Sequence, residues 1–251
     1  MARFTNKVCL ICGAKGAANE IAKIVSSEGG TVVINDPDKA LTDAISAPVA
    51  DKMNLSTSGE DSKKLVAEVL AKHKAIHSVI VNFDEYDAAK TRSENITVEA
   101  YRKVMDGNVT PTFHILAAVR EHFRAKQETG EQASVVILGS VAGLSGLSIG
   151  SLYAAAKAAQ FGMVRGVAKE FGRFANVNGI AQGFYSEKVN RPGPKDKEKK
   201  DFLTMKTARA DQDLTYVDVA KMAAYLASED AKMISGQVIP VDGGLWLRVQ
   251  A

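Results

Sequence analysis

The chain has 251 residues, with 32 Lys plus Arg against 29 Asp plus Glu and a formal net charge of +3. So balanced a surface argues against a protein that tracks nucleic-acid phosphates. With 46% apolar and 24% charged residues the composition is that of a globular domain rather than a disordered chain. No apolar run approaches the roughly 18 residues needed to cross a bilayer. Residues 1–7 lead straight into a strand-like run and lack the apolar core of a signal peptide. A cytoplasmic protein without nucleic-acid or membrane partners is expected.

In chain order, 8–12 reads as a short buried strand, followed by a glycine turn and a helix over 17–27. Residues 31–35 are the next strand, stopped by Asp36-Pro37. A helix over 65–73 precedes a strand at 78–82, and helices are expected over 98–105 and 112–125. A strand at 134–138, a long helix over 153–174, a strand at 177–181, a helix over 217–227 and a strand at 237–241 complete the series. Buried apolar strands alternating with helices predict an α/β fold, a parallel sheet covered on both faces, in one domain spanning 1–251. The alternation is interrupted once, by a lysine-rich stretch over 188–206 containing Arg191, Pro192, Gly193 and Pro194. It reads as an insertion near the sheet edge.

Cys9 and Cys12 have Cys-x-x-Cys spacing but lie within the apolar run of a strand, where residues three apart face opposite sides. They cannot share a metal, and His73 and His77 are too distant in sequence to complete a finger. Buried core thiols and no metal site are expected.

Two stretches carry candidate chemistry. Gly13-Ala14-Lys15-Gly16-Ala17-Ala18 follows the first strand and opens a helix, where backbone N–H groups can receive a diphosphate. Asp36, twenty residues after Gly16 at the end of the second strand, is placed to bond ribose hydroxyls and to disfavour a 2′-phosphate. A tight turn with Asp36 as a helix cap is the alternative. Further on, Tyr153 and Lys157 lie four apart on one helix face, so the ammonium favours the phenolate and suits Tyr153 to acid/base work. Ser140 ends the preceding strand, where an α/β sheet presents its site.

These residues, together with Leu138-Gly139-Ser140-Val141-Ala142-Gly143, Gly107-Asn108-Val109-Thr110, the 177–184 block and Ser235-Gly236-Gln237 through Asp242-Gly243-Gly244, resemble the short-chain dehydrogenase/reductase superfamily over essentially the whole chain. The resemblance implies a Rossmann-like, doubly wound parallel sheet of about seven strands, a nicotinamide cofactor (NAD) and hydride transfer with a secondary alcohol or ketone. By family role Tyr153 takes the alcohol proton, Ser140 holds the substrate oxygen, Lys157 lowers the tyrosine pKa and holds the nicotinamide ribose, and Asn108 anchors a water of the proton relay. The cofactor positions that match are Gly13, Gly16, Asp36, Asn54 and Asn82, and the segment 184–210 corresponds to a substrate lid.

The cofactor side departs from the family pattern. The first turn is one residue short between Gly13 and Gly16, with Cys12 and Ala18 at its ends, and Glu20 lies in the first helical turn. Asn82-Phe83-Asp84-Glu85 stands where the family has Asn-Asn-Ala-Gly, a turn against which the adenosine ribose packs. Asn54-Leu55 replaces an Asp-hydrophobe pair, Gln182 replaces a proline beside the nicotinamide, and Glu187 replaces a threonine, with Ser186 adjacent. Two roles follow. One is a subunit that has lost cofactor binding and assembles with an intact paralogue of an NAD-dependent dehydrogenase; this is favoured because the departures converge on one ligand. The other is an NAD-dependent alcohol dehydrogenase or ketoreductase, working alone or as a homo-oligomer. Oligomerisation through 112–125, 153–174 and Leu245-Trp246-Leu247 is implied by resemblance, and the basic lid suits an acyl-CoA substrate.

Overall fold

The computed structural model describes residues 2–86, 96–146, 150–183 and 214–249. Among these, seven strands form one sheet: β1 (Val8–Cys12), β2 (Thr31–Asn35), β3 (Asp51–Met53), β4 (Ser78–Val81), β5 (Ala133–Ser140), β6 (Ala175–Gln182) and β7 (Val238–Val241). Their order is β3-β2-β1-β4-β5-β6-β7 and every pairing is parallel. The helices are α1 (Ala18–Ser27), α2 (Lys39–Asp43), α3 (Gly59–His73), α4 (Val98–Lys126), α5 (Ala142–Ser145), α6 (Ser151–Phe171), α7 (Tyr216–Ala227) and α8 (Leu245–Val249).

The two-residue period of a strand divides the core into two layers. In β1, Leu10 and Cys12 join Val66 of α3, Ile115 of α4 and Phe161 of α6, whereas Cys9 and Ile11 join Ile21 of α1 and Ala223 of α7. The two thiols are therefore buried on opposite faces of the sheet, as their spacing requires. Burial raises the Cys9 thiol to about 11 and pushes Cys12 higher still. No group of His, Cys, Asp or Glu that could hold a metal occurs among the described residues, and no described helix is long and apolar enough to cross a membrane.

The short helices α2, α5 and α8 were not expected, and two further elements differ from expectation. Asp51–Met53 forms an edge strand that its polar sequence does not announce, because it pairs on one side only, with β2. The two helices expected at 98–105 and 112–125 are one helix, α4, running through Pro111. Proline removes the bond to the Gly107 carbonyl. The neighbouring carbonyl, that of Asn108, is doubly satisfied by the Thr112 hydroxyl at 2.7 Å and Gln160 Nε2 at 3.0 Å.

The strand order reverses between β1 and β4, so a crevice opens at their carboxyl ends, the usual ligand position in such sheets. The glycine turn after β1 and residues 82–86 after β4 form its walls. The lid-like segment 184–210, including Ser186 and Glu187, lies outside the described residues.

Candidate functional site

The glycine turn is held by the protein itself. Gly13 has φ +101°, and a Cβ there would stand 2.3 Å from the carbonyl oxygen of Asn82, so only glycine fits. The Gly13 N–H donates to the Asn35 carbonyl at 2.8 Å, and Asn82 Nδ2 donates to the carbonyls of Gly13 at 3.2 Å and Lys15 at 2.6 Å. Gly16, with φ +57°, lies beneath the ring of Tyr216 at the start of α7. Glu20 turns along α1 to Lys23 at 2.8 Å.

Asp36 is 8% exposed and already engaged. Its Oδ2 accepts from the Ala14 N–H at 2.8 Å and its Oδ1 from the Asp38 N–H at 2.9 Å. Asp36 caps neither neighbouring helix, whose N-caps are Ala17 and Asp38; its carboxylate ties the end of β2 to the glycine turn. Asn54 donates to the Asp36 carbonyl and to the Thr42 hydroxyl, both at 2.9 Å, and so braces the same corner.

At the chemistry end, β5 delivers Ser140 and α6 delivers Tyr153 and Lys157, all nearly inaccessible to solvent. Ser140 Oγ accepts from the Ala142 N–H at 3.2 Å. The Lys157 ammonium lies 5.4 Å from the centroid of the Tyr153 ring, the proximity expected of residues four apart on a helix. Between them sits Asp84. Its Oδ1 accepts the Tyr153 hydroxyl at 2.7 Å and pairs with Lys157 Nζ at 3.1 Å. Lys157 also donates to the Phe83 carbonyl at 2.8 Å. The Lys157 ammonium is thus paired with the Asp84 carboxylate beside the Tyr153 hydroxyl.

Asn108, fully buried in α4, faces the same loop. Its Nδ2 donates to the carbonyls of Glu85 at 2.9 Å and Val104 at 2.8 Å, and its Oδ1 accepts from the Glu85 N–H at 3.3 Å. Its own carbonyl is taken by Thr112 and Gln160. Gln160 is absent from the expected site, yet it shares the buried face of α6 with Lys157, and its Oε1 has no hydrogen-bond partner among the described residues. An amide three residues after the lysine, in the run Lys157-Ala158-Ala159-Gln160, is the sequence signal that marks it.

Glu85 turns into the crevice as well. Its carboxylate pairs with Lys103 at 3.2 Å and with Lys15 of the glycine turn at 3.7 Å. What remains of the crevice is a cavity of ≈ 170 Å³ bordered by Gly13, Asp36, Asn82, Asp84 and Glu85, below the ~300–1,000 Å³ usual for sites that enclose a small molecule. The tyrosine, lysine and glycine turn that would meet a dinucleotide are turned instead toward the loop after β4. In this arrangement the residues present do not fit NAD.

A family model described as enoyl-(acyl carrier protein) reductase matches residues 12–246. The 3-oxoacyl-[acyl-carrier-protein] reductase FabG of Thermotoga maritima is 29% identical over 97% of this chain and 99% of its own length. The 7alpha-hydroxysteroid dehydrogenase of Bacteroides fragilis is 28% identical over 98% and 96%, respectively. The structure of a short-chain type dehydrogenase/reductase from Mycobacterium ulcerans superposes with a TM-score of 0.84 at 25% identity, covering 98% of this chain and 91% of that one. With its seven parallel strands, its β5 serine and its Tyr153/Lys157 pair, the chain belongs to the short-chain dehydrogenase/reductase superfamily.

Proposed function

We propose that the chain is a subunit of an NAD-dependent short-chain dehydrogenase in which an intact paralogue binds the cofactor and this chain does not. The observation that carries the reading is the seat of Asp84: one carboxylate oxygen engages both Tyr153 and Lys157, the two groups with which the family meets alcohol and nicotinamide ribose. The assembly oxidises a secondary alcohol to the ketone, with a 3-hydroxyacyl-CoA as the substrate class. Support for a carrier-bound acyl substrate comes from the Thermotoga maritima relative, a 3-oxoacyl-[acyl-carrier-protein] reductase. The arrangement resembles the 2-[hydroxy(phenyl)methyl]succinyl-CoA dehydrogenase of anaerobic toluene degradation, which joins an intact to a degenerate short-chain dehydrogenase-like subunit. The partner surface is assigned to α4, α6 and the C-terminal segment, where Phe113 and Leu247 are 60% and 69% exposed.

Native purification followed by mass spectrometry of the intact complex tests this. Expected is a hetero-oligomer containing a second, intact short-chain dehydrogenase, with NAD-dependent turnover requiring that second chain. A pure homo-oligomer that turns over alone contradicts it. That outcome would favour the second reading, a self-sufficient dehydrogenase, for which the presence of Asn108, Ser140, Tyr153 and Lys157 speaks.

A further inference from the structure

We propose that residues 82–86 are an internal plug: a short strap latched by two carboxylates onto the chain's own lysines, which keeps a dinucleotide out of the crevice. This rests on the reading of the chain as one that does not bind cofactor, and goes beyond it by naming the device and making it removable.

Each residue of the strap is anchored to a group that lines the crevice. Asn82 holds the carbonyls of Gly13 and Lys15, and the Phe83 carbonyl takes the Lys157 ammonium. Asp84 takes Tyr153 and Lys157. Glu85 is held through its backbone by Asn108 and through its side chain by Lys15 and Lys103. The Tyr86 ring stands edge-on to Tyr153, with centroids 5.1 Å apart and planes at 72°.

The direction of the two acids is what calls for explanation. A carboxylate on a surface loop is hydrated at no cost if it points to water, whereas turning it inward is favourable only against a cation and hydrogen-bond donors. Asp84, with its side chain 18% exposed, meets both in Lys157 and Tyr153. Lys157 at 1% exposure in turn needs an anionic or polar partner when no ligand supplies one. Asp84 thus takes the place of ribose hydroxyls on Lys157, and Glu85 supplies a negative charge to Lys15 beside the turn that would face a diphosphate. The fit of Glu85 is steric as well: a Cβ on Gly107 would lie 2.4 Å from the Glu85 Cβ, so the strap is seated directly on α4. If the strap is the barrier, removing its two side chains opens the crevice while the glycine turn, Asp36 and the Tyr153/Lys157 pair remain.

The test is titration of the purified full chain with NADH, followed by nicotinamide fluorescence, for the wild type and for the variant carrying Asp84→Ala and Glu85→Gly. Expected is no saturation by the wild type at millimolar NADH and saturable binding by the variant at least about a hundredfold tighter; a gain below about tenfold overturns the plug. Should the double variant not melt co-operatively, Glu85→Gln, which frees Lys15 while keeping side-chain volume, is titrated with ADP by calorimetry. Binding about tenfold tighter than the wild type supports the plug, and unchanged affinity overturns it. The two claims fail separately: a silent wild type with a silent, folded variant sinks the plug alone, whereas saturable NADH binding by the wild type sinks the underlying reading as well.

Discussion

Tyr153 and Asp84 are separated by 69 residues of sequence and joined by a 2.7 Å hydrogen bond. The bond connects the long helix that carries the family's acid/base residues to the loop that departs most from the family pattern. Both Tyr153 and Lys157 are structural partners of a part-buried carboxylate. An ammonium as inaccessible as that of Lys157 is costly to strand, so the pair holds its members together.

Replacing Lys157 by Met should therefore act on stability. It leaves Asp84 facing Tyr153 without its cation, at an expected cost of about 3 kcal/mol in urea unfolding. Asp84→Ala should be destabilising too, and the double substitution should cost less than the two single effects added together. Additive effects would show that the pair is not coupled.

Gly107→Ala tests the seating of Glu85. Alanine in the interior of α4 would ordinarily gain about 1 kcal/mol over glycine. Here the added Cβ would meet Glu85 at 2.4 Å, and relieving such overlap typically costs about 1–3 kcal/mol. Net destabilisation is expected in the wild-type background, changing to neutral or stabilising when Glu85→Gly is also present. A stabilised single variant would mean that the loop is seated elsewhere.

A pH effect is expected at the opposite end of the sheet. His77 Nδ1 accepts the Val8 N–H at 2.9 Å. Burial, aided by the charges of Lys126 and Lys7, lowers its pKa to about 4. In the unfolded chain the ring takes up its proton near pH 6.5, so the unfolded state binds more protons between there and about 4. Stability is full above about pH 6.5 and falls as the pH drops toward 4, by up to about 3 kcal/mol from this residue. Denaturant melts over this range should show a shallower slope for His77→Gln than for the wild type; identical slopes would remove His77 as the cause.

The cysteines should be chemically silent. Cys9 and Cys12 are buried on opposite faces with thiols that burial makes harder to ionise. An aromatic disulfide reagent should label neither in the native protein and both in urea. Rapid native labelling would contradict their placement.

The sheet was legible where burial wrote a continuous apolar run, as in Val8–Cys12 and Thr31–Asn35, whose strands match the expected bounds. It was not legible at Asp51–Met53, because an edge strand needs less apolar surface. Nor was the continuity of α4 past Pro111, where proline ordinarily breaks or kinks a helix. At the site, the residue types of Asp84 and Glu85 drew attention to the loop after β4. Their direction was beyond the sequence, since whether a carboxylate faces water or a lysine some 70 positions away is decided by tertiary contacts. Asp36 illustrates the same limit: its spacing suited a ribose, while in the fold its oxygens serve the N–H groups of Ala14 and Asp38.

The most direct test of the account is calorimetric titration of the isolated wild-type chain with NAD, alongside the intact paralogue proposed as its partner, under the same conditions. Heat and saturation from the partner, and none from this chain at millimolar NAD, is the predicted result. Saturable micromolar binding to this chain alone would contradict it.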